Sequence, residues 1–168
     1  MKAVWLIAIA VLAGCQKSEV VSVFTGNQAI YGLVAPTNSS YNVSGTAAFK
    51  ERKDGSTTIL VQLTGSALSG TAQLPVHLHL GDVSANGAAI AALLNPVAGG
   101  TGTSETIISQ LADGTKVGYK DLLKLSAYIN VHAATSGPES AVILAAGNIG
   151  INGTKASSNL RIGVCSNQ

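Results

Sequence analysis

The sequence predicts an all-β fold, an antiparallel Greek-key sandwich or barrel, and three observations predict it. Roughly seven or eight short stretches rich in Val, Ile, Leu and Thr recur at intervals of roughly ten to fifteen residues. Gly-containing turns such as Asp54-Gly55 and Asp113-Gly114 punctuate them, and a single stretch carries helical spacing. No repeat at a solenoid period is present, and 168 residues suit one domain rather than two of ordinary size.

The chain opens with Met1-Lys2, an apolar run from Ala3 to Val11, and Leu12-Ala13-Gly14-Cys15. A basic start, an apolar core too short to span a bilayer comfortably, and small residues before a cut site mark a secretory signal peptide. Leu-Ala-Gly-Cys resembles the bacterial lipobox, in which cleavage leaves a cysteine whose sulfur carries a diacylglycerol. Residues 1–14 are therefore read as a lipoprotein signal peptide and Cys15 as the lipidation site. The plainer alternatives are an ordinary signal peptide or an uncleaved anchor helix, with Cys15 incidental. Each buried methylene contributes about 0.8 kcal/mol, so a fully acylated Cys15 would stay in the membrane. The expected location is the bacterial cell envelope, as a membrane-anchored lipoprotein of the outer membrane or cell surface.

Charged residues make up 11% of the chain, and its formal charge is +2. The one basic cluster, Lys50-Glu51-Arg52-Lys53, is interrupted by an acid, and no aromatic platform accompanies it. Nucleic-acid binding is excluded on those grounds. With Cys15 lipidated, Cys165 has no disulfide partner.

Residues 15–40 read as a tether, with Val20 to Phe24 able to form a strand and the break Pro36-Thr37-Asn38-Ser39-Ser40 setting the domain start at Tyr41. Strands over Val43–Lys50 and Thr57–Leu63 flank a hairpin turn at Lys53-Asp54-Gly55-Ser56. Pro75 to Asp82 follows as a strand, then a turn at Ser84-Ala85-Asn86-Gly87. The apolar run Ala88–Leu94 is expected to end at Asn95-Pro96. Thr103–Leu111 is the next strand. Tyr119, Leu122 and Leu125 then share one face of a short helix near residues 119–125. Ala127–His132, Ala141–Ala146 and the tail Leu160–Cys165 complete the strands, giving a domain over residues 41–168.

The order of His77-Leu78-His79-Leu80-Gly81, Leu94-Asn95-Pro96-Val97, Tyr128-Ile129-Asn130-Val131-His132 and Ala146-Gly147-Asn148-Ile149-Gly150 resembles the CHRD (chordin-type) domain. The likeness is greatest to its bacterial lipoprotein versions and covers roughly Tyr41 to Gly153. It implies a β-sandwich distantly similar to Cu/Zn superoxide dismutase, without established enzymatic activity. The family's growth-factor role in chordin does not transfer to a bacterium. Asn148 stands where relatives more often carry an acid, a departure that bears on that position's role.

Alternation along a strand puts His77 and His79 on one face, roughly 6 to 7 Å apart along the backbone. Tyr128, Asn130 and His132 likewise share a face of theirs. Neutral imidazoles suit copper and zinc, so His77, His79 and His132 are candidate metal ligands. The resemblance, rather than the spacing, is what places His132 beside the pair. The competing reading is three buried histidines bonded to backbone or to Asn130. Asp82 is read as a turn cap, with orientation of a ligating imidazole as the alternative.

Three functions remain: a non-catalytic, lipid-anchored binding or structural module, with copper or zinc as candidate cofactor; a dismutase-like copper redox enzyme; and a metal-free adhesion or scaffold domain. The first is expected. Dismutase chemistry requires a bridging histidine that a chain with three histidines lacks, and Arg161 is the sole arginine outside the basic cluster. No Gly-X-Ser-X-Gly elbow or phosphate loop occurs.

Overall fold

The computed structural model describes residues 21–37, 39–85 and 88–153. Its strands are β1 Phe24–Val34, β2 Val43–Arg52, β3 Thr57–Gly65, β4 Gln73–Leu80, β5 Ile90–Ala98, β6 Thr103–Ile108, β7 Ser126–His132 and β8 Ile143–Gly150. They are antiparallel and close a barrel in the order β1-β2-β3-β6-β5-β4-β7-β8. Two seams are thin: β1 meets β8 at Val34↔Ala146, and β5 meets β6 at Ala98↔Thr103. The barrel is thus flattened, one wall made of β1, β2, β3 and β6 and the other of β5, β4, β7 and β8. The expected all-β class stands.

Strand alternation sorts the side chains. Leu74, Val76 and Leu78 of β4 and Ala127, Ile129 and Val131 of β7 point inward and join Phe49, Ile59 and Val61 in the core. A helix α1 at Tyr119–Leu122 buries Tyr119 and Leu122 against that core, shorter than the 119–125 expected because a 3-10-like bond, Lys124 N to Asp121 O, tightens its end. The Asp54-Gly55 turn joins β2 to β3 as expected, with Gly55 at φ 85°.

The domain start at Tyr41 is corrected. β1 lies inside the segment read as a tether, pairs with β2 at Phe24 and again from Gln28 to Val34, and buries Leu33 completely. Tyr31 packs edge-on against Phe49, with ring centroids 5.4 Å apart. The break at Pro36–Ser40 is a real turn, but it separates β1 from β2 rather than tether from domain. The expected strand at Val20–Phe24 accordingly shifts to Phe24–Val34.

Asn95-Pro96 does not end its segment either; both residues lie within β5. Proline is tolerated there because the ladder to β6 has lapsed and Asn95 takes it over. Asn95 N donates to Thr106 Oγ1 (2.8 Å) and Asn95 Nδ2 to Glu105 O (2.6 Å). The signal peptide, Cys15, the Asn86-Gly87 turn and the expected strand Leu160–Cys165 fall outside the described residues.

The motif Ala146–Gly150 also acquires a physical reason. A Cβ at Gly147 would collide with the carbonyl oxygen of Gly32, so glycine lets β1 approach and close the barrel. Gly150, at φ 64° and crowded by the Leu125 carbonyl, ends β8 in a turn that few other residues adopt.

Candidate metal centre

The outer face of β4 and β7 is not bare. Val83, Tyr128, Ile143 and Ala146 form a second, smaller apolar cluster there, with Val34 and Ala88 packed against it. Residues 81–85 and 88–89 after β4 and the loop 133–142 after β7 lie against this face, the latter containing a 3-10 turn at Pro138–Ala141. The pairing register sets His77 opposite Asn130 and His79 opposite Tyr128. His132 therefore lies two residues along from His77's partner, within reach on the diagonal.

The three histidines converge. Their nitrogens include one ligand atom apiece that all lie within 4.8 Å of one another. Ring centroids are 4.7 Å apart for His77 and His132 and 5.9 Å for His77 and His79. His79 also stacks on Tyr128, with centroids at 4.9 Å and an interplanar angle of 8°. His79 and His132 are each 3% exposed, whereas His77 is only partly buried.

Hydrogen bonds fix the tautomers of the two buried rings. His79 Nδ1 lies 3.0 Å from the Ala88 carbonyl oxygen and His132 Nδ1 lies 2.8 Å from that of Ser140. A carbonyl only accepts, so each Nδ1 carries the hydrogen and each neutral ring presents its Nε2 lone pair. Both Nε2 atoms are buried without a hydrogen-bond partner. An unpaired buried acceptor costs about 1–3 kcal/mol, and one acceptor lone pair cannot satisfy another. A metal ion removes that cost. An imidazole locked by a backbone carbonyl at one nitrogen and bare at the other is how ligating histidines are held.

With metal–nitrogen bonds of about 2.0–2.1 Å, three ligands around one ion stand about 3.3–3.5 Å apart. The donor atoms must close from their present spacing of up to 4.8 Å. The residues fit copper or zinc.

Burial, then the proximity of His132 and His79, pushes the His77 pKa down from 6.5 to about 4. Burial also lowers those of His79 and His132, against the opposing pull of their carbonyl partners. Between about 6.5 and about 4 the unfolded chain therefore binds protons that the folded one refuses. The metal-free fold is expected to have its full stability above that window and to lose it progressively as pH falls through it. Thermal unfolding across the window measures this, and His77→Gln should flatten the slope.

Asp82 is a turn cap, as expected. Its Oδ1 accepts from Ser84 N (3.0 Å) and Ser84 Oγ (2.8 Å), and its Oδ2 accepts from Asn148 Nδ2 (3.3 Å). Asn148 Oδ1 in turn accepts from Val83 N at 2.9 Å. This amide therefore pins the start of the 81–89 loop to β8, a role the sequence reading missed although it had singled the position out. Asn152 adds a second clamp through Nδ2, bonded to Ser126 Oγ (2.6 Å) and Gly81 O (3.2 Å). Asn148→Ala is expected to cost about 1–3 kcal/mol by leaving a buried donor unpaired. Faster amide exchange at Val83 measures the same loss.

Fold and site together define a small antiparallel β-barrel module with a three-histidine cluster on its outer wall. No curated protein and no solved structure matches the chain. The profile of the CHRD domain matches residues 20–140, and the chain belongs to that family. The match begins at residue 20, so it includes β1.

Proposed function

We propose that this protein is a non-catalytic binding module that holds one copper or zinc ion through His77, His79 and His132, anchored by lipid on Cys15 in a bacterial cell envelope. The observation that carries the metal reading is the pair of buried Nε2 atoms without hydrogen-bond partners, on rings that cluster with His77 and whose Nδ1 atoms are bonded to backbone. A purely structural histidine at this depth ordinarily has a partner beside its second nitrogen, and here neither Nε2 has one.

The non-catalytic reading rests on what surrounds the cluster. Asp82 is engaged in its turn and with Asn148, and no fourth histidine exists to bridge a second metal. CHRD domains are not known as enzymes. The lipid anchor rests on Leu12-Ala13-Gly14-Cys15.

Elemental analysis of the purified protein tests the metal reading: about one equivalent of copper or zinc is expected after exposure to either ion. Protein that takes up neither is a metal-free scaffold. For the anchor, Cys15→Ser is expected to move the protein from the membrane fraction to the soluble one. Membrane retention of that variant would refute lipidation at Cys15.

A further inference from the structure

We infer that the cluster prefers copper(I) to zinc(II), an inference that rests on the metal-binding reading above. Imidazole suits both ions, so the kind of donor does not decide between them. Charge and coordination number do.

The cluster consists of three histidines, and no carboxylate or thiolate belongs to it among the described residues. Neutral imidazoles bring no negative charge. The covering loops carry two described acids, and neither belongs to the cluster. Asp82 already accepts from Ser84 and Asn148, and Glu139 is exposed to solvent. Tyr128, which stacks on His79, belongs to a buried apolar cluster with Val83, Ile143 and Ala146. A divalent ion would therefore place two uncompensated charges against an apolar wall, a monovalent ion only one, and the cost of burying charge grows steeply with its size.

Coordination number points the same way. Zinc takes four ligands, the fourth being a water or substrate in open sites. Two of the three rings here are almost fully buried, so a fourth ligand can approach only beside the half-buried His77. Copper(I), with a filled d shell, is satisfied by two or three nitrogen donors.

The test is an anaerobic competition titration on the full chain carrying Cys15→Ser and Cys165→Ser, which removes both thiols that would bind copper(I) on their own. Copper(I) is offered from a chromophoric chelator under reductant, and zinc(II) in a parallel titration. A one-to-one copper(I) complex about 100-fold tighter than the zinc complex is expected. X-ray absorption of the complex should show nitrogen donors at about 2.0 Å. The Asn130→Asp variant provides the check on the physical cause. Residue 130 faces His77 across the β4–β7 pair and is itself buried, so a carboxylate there supplies the missing negative charge. It should narrow the copper(I) preference by about tenfold or more.

Zinc binding as tight as copper(I) overturns the inference and leaves the metal-binding reading standing. Binding of neither ion ends both. Copper(I) binding of undiminished affinity after His77→Ala, His79→Ala and His132→Ala are combined places the metal elsewhere and overturns the inference as well. A preference unmoved by Asn130→Asp, in a variant that still unfolds cooperatively, removes the charge argument.

Discussion

His132→Ala is expected to abolish metal retention while leaving a folded barrel. The ring supplies one of three donors, so the loss of affinity should exceed the about 10–100-fold typical of removing an outer-shell partner. The metal-free fold should suffer far less. The substitution gives up the bond from Nδ1 to the Ser140 carbonyl, but it also removes a buried Nε2 that had no partner. These two changes oppose each other. Metal at about 100 times its dissociation constant should stabilise the unmodified protein by about 2.7 kcal/mol and the variant by nothing. Paired unfolding curves with and without metal therefore separate a ligand from a structural histidine. If His132→Ala destabilises the metal-free fold heavily, and metal stabilises neither protein, the histidines serve packing and the chain is a metal-free module.

The sequence made half of this site visible. A His-X-His step on a strand fixes two imidazoles on one face whatever the rest of the chain does, because side chains alternate with period two. The same alternation put Tyr128, Asn130 and His132 together, and the structure stacks Tyr128 on His79. Hidden in the sequence were the groups that hold the rings. They are backbone carbonyls of Ala88 and Ser140, and any residue type supplies a carbonyl. Only the path of two loops reveals them. Asn148 lay between these cases: a polar residue inside the otherwise apolar and glycine-rich Ala146–Gly150 was a signal, and its meaning required knowing that Val83 lies beside it.

The fold was legible in class and misplaced at its edges for a related reason. Prolines were taken as stops. Pro36 marks a turn between strands, and Pro96 sits inside β5 where a side chain replaces the ladder. Local punctuation reports where the backbone cannot continue a regular bond, and a seam between two sheets is one such place. The apolar content of β1 was muted by Thr25, Asn27 and Gln28 near its start. Its inward residues, Leu33 above all, emerge as core only once β2 is set beside it.

The strongest expectation for stability follows from that strand. Removing residues 21–40 deletes β1, strips the cover from Phe49 and opens the edges of β2 and β8 to solvent. Unpaired edges beside an exposed apolar core pair with other chains, so aggregation rather than a smaller folded domain is expected. A milder probe keeps the strand and empties its anchor. Leu33 is 0% exposed, so Leu33→Ala should cost about 2–5 kcal/mol, a large share of a stability of about 5–15 kcal/mol for a domain of this kind. Urea unfolding measures the single substitution, and size-exclusion chromatography reads out the deletion. Should the shortened chain run as a monomer and unfold cooperatively at an unchanged midpoint, β1 would be dispensable and the domain would begin at Tyr41 after all. The distinction reaches the metal site, because Val34 pairs with Ala146 and packs on the cluster that contains Tyr128, the ring on which His79 stacks. Losing β1 should therefore weaken metal binding even in any fraction that stays soluble.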